Sequence, residues 1–413
     1  MTNLPIEKAE AQRPAKSKST AAVPAILFGS TYTVLGTARS LGRHGIHVYC
    51  ASEGLGYMTS SRWCHEIDGQ PKVVEFSSLS AALRTLSLER AVLFPCSDHW
   101  VTGIAHLDPQ LKAQFPCVIS PARTIDILLN KGKLALELQK YQFPAPLTMR
   151  VSTEADLDQW PKDRWPISFL KPCDSQKFMS LFYKKALRVS SHDEARHWML
   201  KIMAVGVDVV LQEYVPGPAS RHYFLDGYVD SHGELKTLFA RQRLRMFPLD
   251  FGDSCCLLSV RLDSLGSLPE RFATLLKQLD YRGIFSAEFK HDPRDNEYRL
   301  LEINARPWWF ISYAADCGVN VATMAYNDAL GREVPKVTEY KIGAGLVSLT
   351  NDKRACWALL KKGKLSIFHW IWSWLTYRKL VFNWDDPAPS LALIFQRAGL
   401  HLRRLFGKQR PRP

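Results

Sequence analysis

Two short apolar stretches in the second half of the chain each carry a glutamate near the middle. They are FSAEFK, which contains Glu288, and RLLEINARPWW, which contains Glu302. The polar run DPRDN between them is made of strong turn formers, so the pattern predicts a β-hairpin. If the turn is centred near Asp295, Glu288 and Glu302 lie opposite each other on neighbouring strands.

Asn304 follows Glu302 by two residues and therefore lies on the same face of the predicted hairpin. Like charges placed directly opposite each other destabilise a sheet unless a cation lies between them. Oxygen ligands without cysteine or histidine suit Mg²⁺ or Mn²⁺, whose coordination substrate phosphates complete. Glu288, Glu302 and Asn304 are thus the predicted metal ligands, and the alternative is a solvated sheet face on which two glutamates happen to align.

The charge of the chain is concentrated near its C-terminus. The 413 residues carry a net charge of +14, and residues 331–413 alone contain 16 lysines and arginines against 5 acidic residues. Residues 21–330 are almost neutral, which argues against a nucleic-acid partner. Residues 1–21 are polar without an apolar segment, so we expect a disordered lead-in and no signal peptide.

The nine cysteines are scattered and include no C-x-x-C pair. This pattern favours a reducing, cytoplasmic environment over a disulfide scaffold or a zinc site. The adjacent pair Cys255 and Cys256 is expected to be a buried part of a strand.

The first part of the chain has the pattern of a parallel α/β unit. The apolar run AILFGS is followed by the helix-like TVLGTARSLGRHG and then by IHVYCAS. A further strand, AVLFPCSDHW, ends at Asp98, at the carboxyl edge where open α/β sheets bind ligands. No GxGxxG fingerprint is present. After about Thr124, the pattern IDILLNKGKLALELQKYQ predicts one amphipathic helix. Strands are expected from there to Tyr214, with a second helix among them at HDEARHWMLKIMA.

Several basic residues are placed where an anion could bind. Lys131 lies early in the predicted amphipathic helix, and Lys171 ends the apolar strand ISFLKPC. Arg241, Arg243 and Arg245 alternate in FARQRLRMFP, so a strand would point all three to one face. Phosphate is the anion that such an arginine row most often binds in proteins.

The order of these motifs resembles the ATP-grasp superfamily, and in particular its carbamoyl-phosphate-synthase-like and biotin-carboxylase-like carboxylate-amine ligases. The resemblance covers residues 22–330. The matching motifs are, in order, Asn130-Lys131, Phe143-Pro144-Ala145-Pro146-Leu147-Thr148, Leu170-Lys171-Pro172, Leu211-Gln212-Glu213-Tyr214-Val215-Pro216-Gly217, Ala287-Glu288-Phe289 and Glu302-Ile303-Asn304-Ala305-Arg306.

The resemblance implies a fold that combines α/β and α+β parts. It places an N-terminal α/β (pre-ATP-grasp) domain at 22–122 and an ATP-grasp domain at 123–330. Within the latter, a lid is expected at about 145–215 and a C-terminal subdomain at about 216–330. Residues 331–413 form a basic, tryptophan-rich C-terminal region outside the resemblance.

The resemblance also implies roles for individual residues. Lys131 and Lys171 would contact the nucleotide phosphates, while Gln212, Glu213 and Val215 would form the hinge that binds adenine through its backbone. From the arginine row, Arg241 is a further predicted nucleotide contact. Glu288, Glu302 and Asn304 would hold Mg²⁺ or Mn²⁺, with two ions expected. Arg306 would hold the reacting carboxylate or acyl phosphate, and Arg243 and Arg245 complete the predicted catalytic set.

The implied function is an ATP-dependent, amide- or peptide-bond-forming ligase for a small carboxylate and a small amine, acting through an acyl phosphate. Phosphoryl transfer depends on positioning and charge neutralisation, which these residues supply. The alternatives are another acceptor, bicarbonate or a thiol, and a non-catalytic nucleotide-binding scaffold at a membrane. Two departures from the family are the glycine-free segment CDSQKFMSLFYKK after Lys171 and the lack of an acidic ribose ligand in GPASRHYF.

LSIFHWIWSWLTY, at 365–377, lies between KKGK and RK and is too short to cross a bilayer as a helix. Tryptophans flanked by lysines suit a membrane interface. We therefore predict a cytoplasmic enzyme with peripheral contact to the anionic inner face of a membrane through residues 361–413. The alternative is a helix that buries its tryptophans against the ligase body.

Overall fold

The structure is a computed structural model that describes residues 23–30, 32–51, 56–67, 78–172, 178, 181–182 and 186–406, with side chains as far as residue 399. The predicted disordered lead-in, most of the glycine-free segment after Lys171 and the end of the basic tail lie outside the described residues.

The described strands form three sheets. The strands are β1 (Ala25–Phe28), β2 (Val48–Cys50), β3 (Val92–Pro95), β4 (Thr148–Val151), β5 (Ser168–Pro172), β6 (Leu187–Val189), β7 (Val209–Glu213), β8 (His222–Val229), β9 (Leu235–Phe247), β10 (Asp253–Ser259), β11 (Gly283–Asp292), β12 (Glu297–Asn304), β13 (Gly345–Val347) and β14 (Arg378–Lys379).

Helices surround these sheets. Those described are α1 (Tyr32–Gly42), α2 (Leu79–Thr85), α3 (Asp98–Ala105), α4 (Pro109–Gln114), α5 (Ala122–Leu129), α6 (Lys131–Lys140), α7 (Glu154–Asp158), α8 (His192–Met203), α9 (Leu268–Gln278), α10 (Ile311–Asp316), α11 (Val321–Ala329), α12 (Leu349–Lys361), α13 (Ile367–Thr376) and α14 (Ala388–Phe406).

The N-terminal sheet has the order β2-β1-β3, and both pairings are parallel. Helix α1 connects β1 to β2, so the predicted parallel crossover unit is present. Strand β3 ends at Pro95, and α3 begins at Asp98 just past the carboxyl edge of the sheet. The fold therefore places Asp98 at the edge where the sequence predicts a ligand.

The single amphipathic helix predicted after Thr124 is in fact two helices. Asn130 has an extended backbone, and its side-chain oxygen accepts hydrogen bonds from the amides of Gly132 and Lys133, each at 3.0 Å. An asparagine in this position caps a new helix, which the periodicity of the apolar residues does not reveal. The break makes Lys131 the first residue of α6.

The second sheet has four antiparallel strands in the order β4-β7-β5-β6. It spans residues 148–213, and α8 packs on it where the sequence predicts a helix. Its core is closed by buried aromatic and aliphatic side chains that include Trp160, Phe178 and Met199. This sheet occupies the stretch that the sequence assigns to the lid.

The third sheet has seven strands in the order β12-β11-β8-β9-β10-β13-β14. Its pairings are antiparallel except for the last, between β13 and β14. One face packs on α9 through residues such as Phe272 and Phe285. On the other face, Phe224 and Phe239 share a core with α1, α10 and α11, so the N-terminal domain is joined to this sheet by continuous apolar packing.

The C-terminal region is built into this fold. Strands β13 and β14 extend the seven-stranded sheet, and α12 packs on β9. Asp386, which is almost fully buried, accepts hydrogen bonds from Arg39 at 2.8 Å and from Ser61 at 2.7 Å. None of the described helices is both long and apolar enough to cross a membrane.

One cysteine pair departs from the expectation of unpaired thiols. Cys50 and Cys64 form a disulfide, with their Cα atoms 5.8 Å apart. The loop after β2 returns beside that strand, as shown by the bridge between Tyr49 and His65, and this brings the two residues together. Spacing along the sequence alone did not reveal this contact. Cys255 and Cys256 are buried in β10 as expected.

Candidate active site

The hairpin of β11 and β12 brings the two glutamates together. Glu288 pairs directly with Glu302, and Ser286 pairs with Asn304. The next residue, Phe289, pairs with Leu300, so the register shifts by one residue between Glu288 and Phe289. Without this bulge Glu288 would lie opposite Leu301, so the irregularity itself creates the pairing predicted from the sequence.

Glu288 is surrounded by positive charge and hydrogen-bond donors. Nδ1 of His222 lies 2.7 Å from its Oε1, and Nη1 of Arg243 lies 3.0 Å from the same oxygen. Burial alone would raise the pKa of this carboxyl, but the charge of Arg243 and the contact with His222 outweigh that effect and hold the pKa well below its usual range. Glu288 is therefore a carboxylate, the form that a metal ion requires.

Two residues of this cluster were not predicted. Burial lowers the pKa of His222 to about 4 despite its contact with Glu288, so the imidazole is neutral near pH 7. Burial and the charge of Arg243 lower the pKa of Lys290 to about 8. Lys290 follows Glu288 by two residues, a spacing that could have identified it, whereas His222 joins the cluster only through the pairing of β8 with β11.

A chain of polar contacts links the hairpin to the N-terminal domain. The amide of Asn304 donates to Glu302 at 3.2 Å and its oxygen accepts from Arg306 at 3.2 Å. The Nε of Arg306 donates to Asp98 at 2.6 Å, and Arg306 is mostly buried while Asp98 is about half exposed. Arg306 is thus fixed between the predicted metal ligands and the carboxyl edge of the N-terminal sheet.

A cavity lies beside this chain of contacts. It is lined by side chains from three parts of the fold, among them Asp98, Lys131, Gln212, Glu302 and Asn304. Lys131 is the first residue of α6 and lines the cavity, so the positive end of the helix dipole and a lysine lie beside it. Both features attract a phosphate group.

The four-stranded sheet contributes Lys171 and the predicted hinge to the site. Lys171, next to the end of β5, adds its charge to those that lower the pKa of Glu288, which places it near the hairpin. Glu213 is buried and paired with Arg164 at 2.8 Å and with Arg294 of the hairpin turn at 3.3 Å. Val215 is also buried. The hinge segment is therefore fixed to both sheets.

The three arginines of β9 do not form one continuous row. Arg243 lies opposite Leu257 and Arg245 lies opposite the adjacent Cys256, so a bulge at Leu244 interrupts the alternation. Of the three, only Arg243 contacts Glu288.

Arg245 and Arg241 are engaged in buried ion pairs. Arg245 donates to Asp352 of α12 at 2.7 Å and to Ser373 of α13 at 2.8 Å. This pairing does not favour the catalytic role predicted for Arg245. Arg241 pairs with Asp226 at 2.5 Å, but its buried Nη1 has no hydrogen-bond partner among the described residues.

The donor set suits a magnesium ion. Glu288, Glu302 and Asn304 bring carboxylate and amide oxygens to neighbouring positions on the sheet. Among the described residues, no group of three or more histidine, cysteine, aspartate or glutamate side chains is arranged so that it could hold a metal ion without other ligands. Mg²⁺ is typically bound by one or two carboxylates together with the phosphates of its substrate.

Comparison with known proteins gives this arrangement its context. The D-aspartate ligase of Enterococcus faecium (strain Aus0004) is 24% identical over 323 residues, which are 73% of this chain and 76% of that protein. No family model matches the sequence.

Solved structures with the same fold include the biotin carboxylase of Campylobacter jejuni in complex with β,γ-ATP, with a TM-score of 0.60, 15% identity, and coverage of 78% of this chain and 74% of that one. The N5-carboxyaminoimidazole synthetase of Staphylococcus aureus complexed with ADP has a TM-score of 0.59, 14% identity, and coverage of 78% and 80%. The L-amino acid ligase of Bacillus licheniformis has a TM-score of 0.54, 14% identity and 74% coverage of each chain. The chain therefore has the ATP-grasp fold, and its predicted resemblance to the carboxylate-amine ligases of that superfamily is confirmed.

Proposed function

We propose that this protein joins the carboxylate of an amino acid such as D-aspartate to an amine. It is an ATP-dependent, carbon–nitrogen bond-forming ligase. The observation that carries the substrate class is the match, over most of both chains, to a protein named D-aspartate ligase. It favours a carboxylate and an amine over bicarbonate, a thiol or a silent scaffold.

The reaction has two steps. An oxygen of the substrate carboxylate attacks the γ-phosphorus of ATP, ADP leaves, and an acyl phosphate forms. The amine nitrogen then attacks the acyl carbon, the C–O bond to phosphate breaks, and the amine loses a proton to solvent. Each step needs charge neutralisation and alignment more than a protein nucleophile.

The residues divide into groups by position. Lys131, at the start of α6, and Lys171, at the end of β5, hold the phosphates of ATP from two sides. Arg241 adds its unpartnered donor, and Gln212, Glu213 and Val215 form the adenine hinge.

Arg243 and Arg306 act on the reacting groups. Arg243 balances the charge at Glu288. Arg306, which is held by Asp98, would bind the substrate carboxylate beside the γ-phosphate. Arg245 supports the sheet through its ion pair with Asp352.

Mg²⁺ is the metal that these ligands fit, and a solved structure with the same fold contains ADP with magnesium. Glu288, Glu302 and Asn304 would hold it, and the presence of two ions is part of this proposal. When bound, the ions neutralise charge on the transferred phosphoryl group.

Hydroxylamine provides a direct test because it replaces the amine and traps an acyl phosphate as a hydroxamate. The purified protein is incubated with ATP, Mg²⁺, hydroxylamine and single carboxylates, including D-aspartate, L-aspartate and D-glutamate. We expect hydroxamate in amounts equal to the ADP released, with an amino acid preferred over a simple dicarboxylate such as succinate.

Two outcomes would reject the proposal. Formation of AMP and diphosphate would show acyl adenylation, and ATP hydrolysis that no carboxylate stimulates would show that the enzyme activates something else. Omission of Mg²⁺ serves as the matched control and should abolish product formation.

The cytoplasmic location predicted from the sequence fits an enzyme that consumes ATP and remains part of this proposal. Contact of residues 361–413 with an anionic membrane is a separate proposal, which rests on the surface of α13.

A further inference from the structure

Helix α13 presents opposite surfaces to the protein and to solvent. Its inner side packs on the body: Ser373 accepts a hydrogen bond from Arg245 at 2.8 Å, and Nε1 of Trp374 donates to Asp352 at 2.7 Å. Trp370 packs edge-on against Trp357 of α12, with ring centroids 6.0 Å apart. Half of the tryptophan-rich segment is thus bound to the ligase body.

The outer side of the same helix is apolar and exposed. Phe368 is 70% exposed, Trp372 56% and Leu375 77%. Together with two exposed isoleucines they occupy helical positions i, i+1, i+4, i+5 and i+8, which form one stripe along the helix. We call this set the outer stripe, and its members are Ile367, Phe368, Ile371, Trp372 and Leu375.

The next helix repeats the pattern. On α14, Leu391, Ile394 and Phe395 are each more than half exposed and follow the i, i+3, i+4 spacing of one helix face. Between the two helices, Trp384 is 88% exposed. Soluble proteins rarely expose so many large apolar side chains in one region, so these residues indicate a surface that is covered in the working protein.

The charges around the outer stripe indicate what covers it. Lys361, Lys362 and Lys364 are exposed immediately before α13, and the region that contains both helices has 16 basic residues against 5 acidic ones. Exposed aromatic rings next to lysines match the boundary of a bilayer with anionic head groups. A second copy of the chain would bring like charges together across a two-fold axis and fits less well.

We propose that the outer stripe of α13, with the flanking lysines, docks the enzyme on an anionic lipid bilayer as a peripheral contact. The apolar side chains enter the boundary between head groups and acyl chains, and the lysines contact anionic head groups. The inner side of α13 keeps the ligase body attached, so the catalytic site is held at the membrane surface.

Vesicle binding by the full-length protein can measure the apolar contribution and the electrostatic contribution separately. Flotation is carried out with phosphatidylcholine vesicles that contain phosphatidylglycerol and with vesicles of phosphatidylcholine alone, at low and high salt. We expect the protein to float with the anionic vesicles at low salt and to be partly released at high salt, because salt screens the lysine contribution.

Two variants assign these contributions. The outer-stripe variant, which combines Phe368→Ser, Trp372→Ser and Leu375→Ser, should reduce the salt-resistant binding to vesicles at least tenfold. The triple variant with Lys361→Gln, Lys362→Gln and Lys364→Gln should reduce low-salt binding about a hundredfold, since each basic residue near the surface contributes roughly a fivefold change in affinity.

Matched controls come from exposed residues elsewhere. Leu136→Ser removes a leucine that is 68% exposed on α6, and a triple change of Lys162, Lys201 and Lys277 to glutamine removes the same charge from other surfaces. Neither control should change vesicle binding. Circular dichroism and thermal unfolding verify that all variants remain folded.

Several results would overturn the proposal. The wild type could fail to float with anionic vesicles, or the outer-stripe variant could bind them as well as the wild type does. If ultracentrifugation instead shows a dimer that the outer-stripe changes dissociate, a second copy of the chain covers this face. Because these readouts do not depend on ATP turnover, they remain decisive even if the proposed ligase reaction is wrong.

Discussion

Glu288 and Glu302 lie directly opposite each other on β11 and β12, and a one-residue bulge beside them establishes that pairing. Asn304 hydrogen-bonds to Glu302 and also contacts Arg306, which connects the pair to Asp98 of the N-terminal domain. Two facing carboxylates repel each other unless cations lie close to them. Arg243 and Lys171 supply positive charge near Glu288, and Arg306 supplies it near Glu302. A metal ion would complete the neutralisation at Glu302.

Glu302→Gln should therefore abolish ATP turnover while the fold is retained. The change removes one negative charge from the metal site at almost constant volume. Phosphate release and thermal unfolding are measured on the same preparation, with Glu297→Gln at the exposed end of β12 as the control. Substantial phosphate release by the folded Glu302→Gln protein would show that this carboxylate does not bind the metal.

Lys171→Ala should weaken the binding of MgATP about tenfold to a hundredfold. A hydrogen bond to a charged group contributes about 1.5–3 kcal/mol, which corresponds to that range. Isothermal titration calorimetry provides the measurement, and Lys162→Ala, on an exposed part of the same segment, is the matched control. An unchanged dissociation constant for Lys171→Ala would mean that the ammonium group does not contact the nucleotide.

Asp98→Asn should raise the KM for the carboxylate substrate severalfold and leave the KM for ATP nearly unchanged. Asp98 positions Arg306 through a contact of 2.6 Å, and loss of its charge frees the guanidinium from the orientation that meets the carboxylate. Asp193→Asn, at a fully exposed position on α8, provides the control. Equal changes in both KM values would argue against a specific role for Asp98 in carboxylate binding.

Arg245→Met should lower the free energy of unfolding by about 3–5 kcal/mol, because it leaves Asp352 charged and buried without its partner. The double variant Arg245→Met/Asp352→Leu should regain part of that loss, and both should retain ligase activity at temperatures where they are folded. Chemical denaturation and the hydroxamate assay check these expectations. A stable but inactive Arg245→Met protein would restore the catalytic role that the arginine row predicts.

The sequence predicts those parts of the site that depend on local rules. Turn formers between two apolar runs identify the hairpin, and the two-residue period of a strand places Asn304 on the face of Glu302. The end of an apolar strand places Asp98 at the carboxyl edge of the N-terminal sheet. Each of these inferences uses residues that are close together in the chain.

The parts that escape prediction depend on distant contacts or single-residue irregularities. Bulges beside Glu288 and at Leu244 shift the side chains that follow, and Asn130 divides a helix whose apolar period continues through it. No local pattern shows that Arg245 meets Asp352, which lies more than a hundred residues later. The alternation of Trp370, Trp372 and Trp374 likewise does not show which of them face the protein.

The most direct measurement of the central claim follows the oxygen atoms of the substrate carboxylate. The enzyme is supplied with a carboxylate labelled with ¹⁸O in both oxygens, together with ATP, Mg²⁺ and an amine, and the released phosphate is analysed by mass spectrometry. An acyl phosphate transfers one labelled oxygen to inorganic phosphate for each amide formed, and this is the result that we predict. Label in AMP, or unlabelled phosphate released alongside amide product, would contradict ligation through an acyl phosphate.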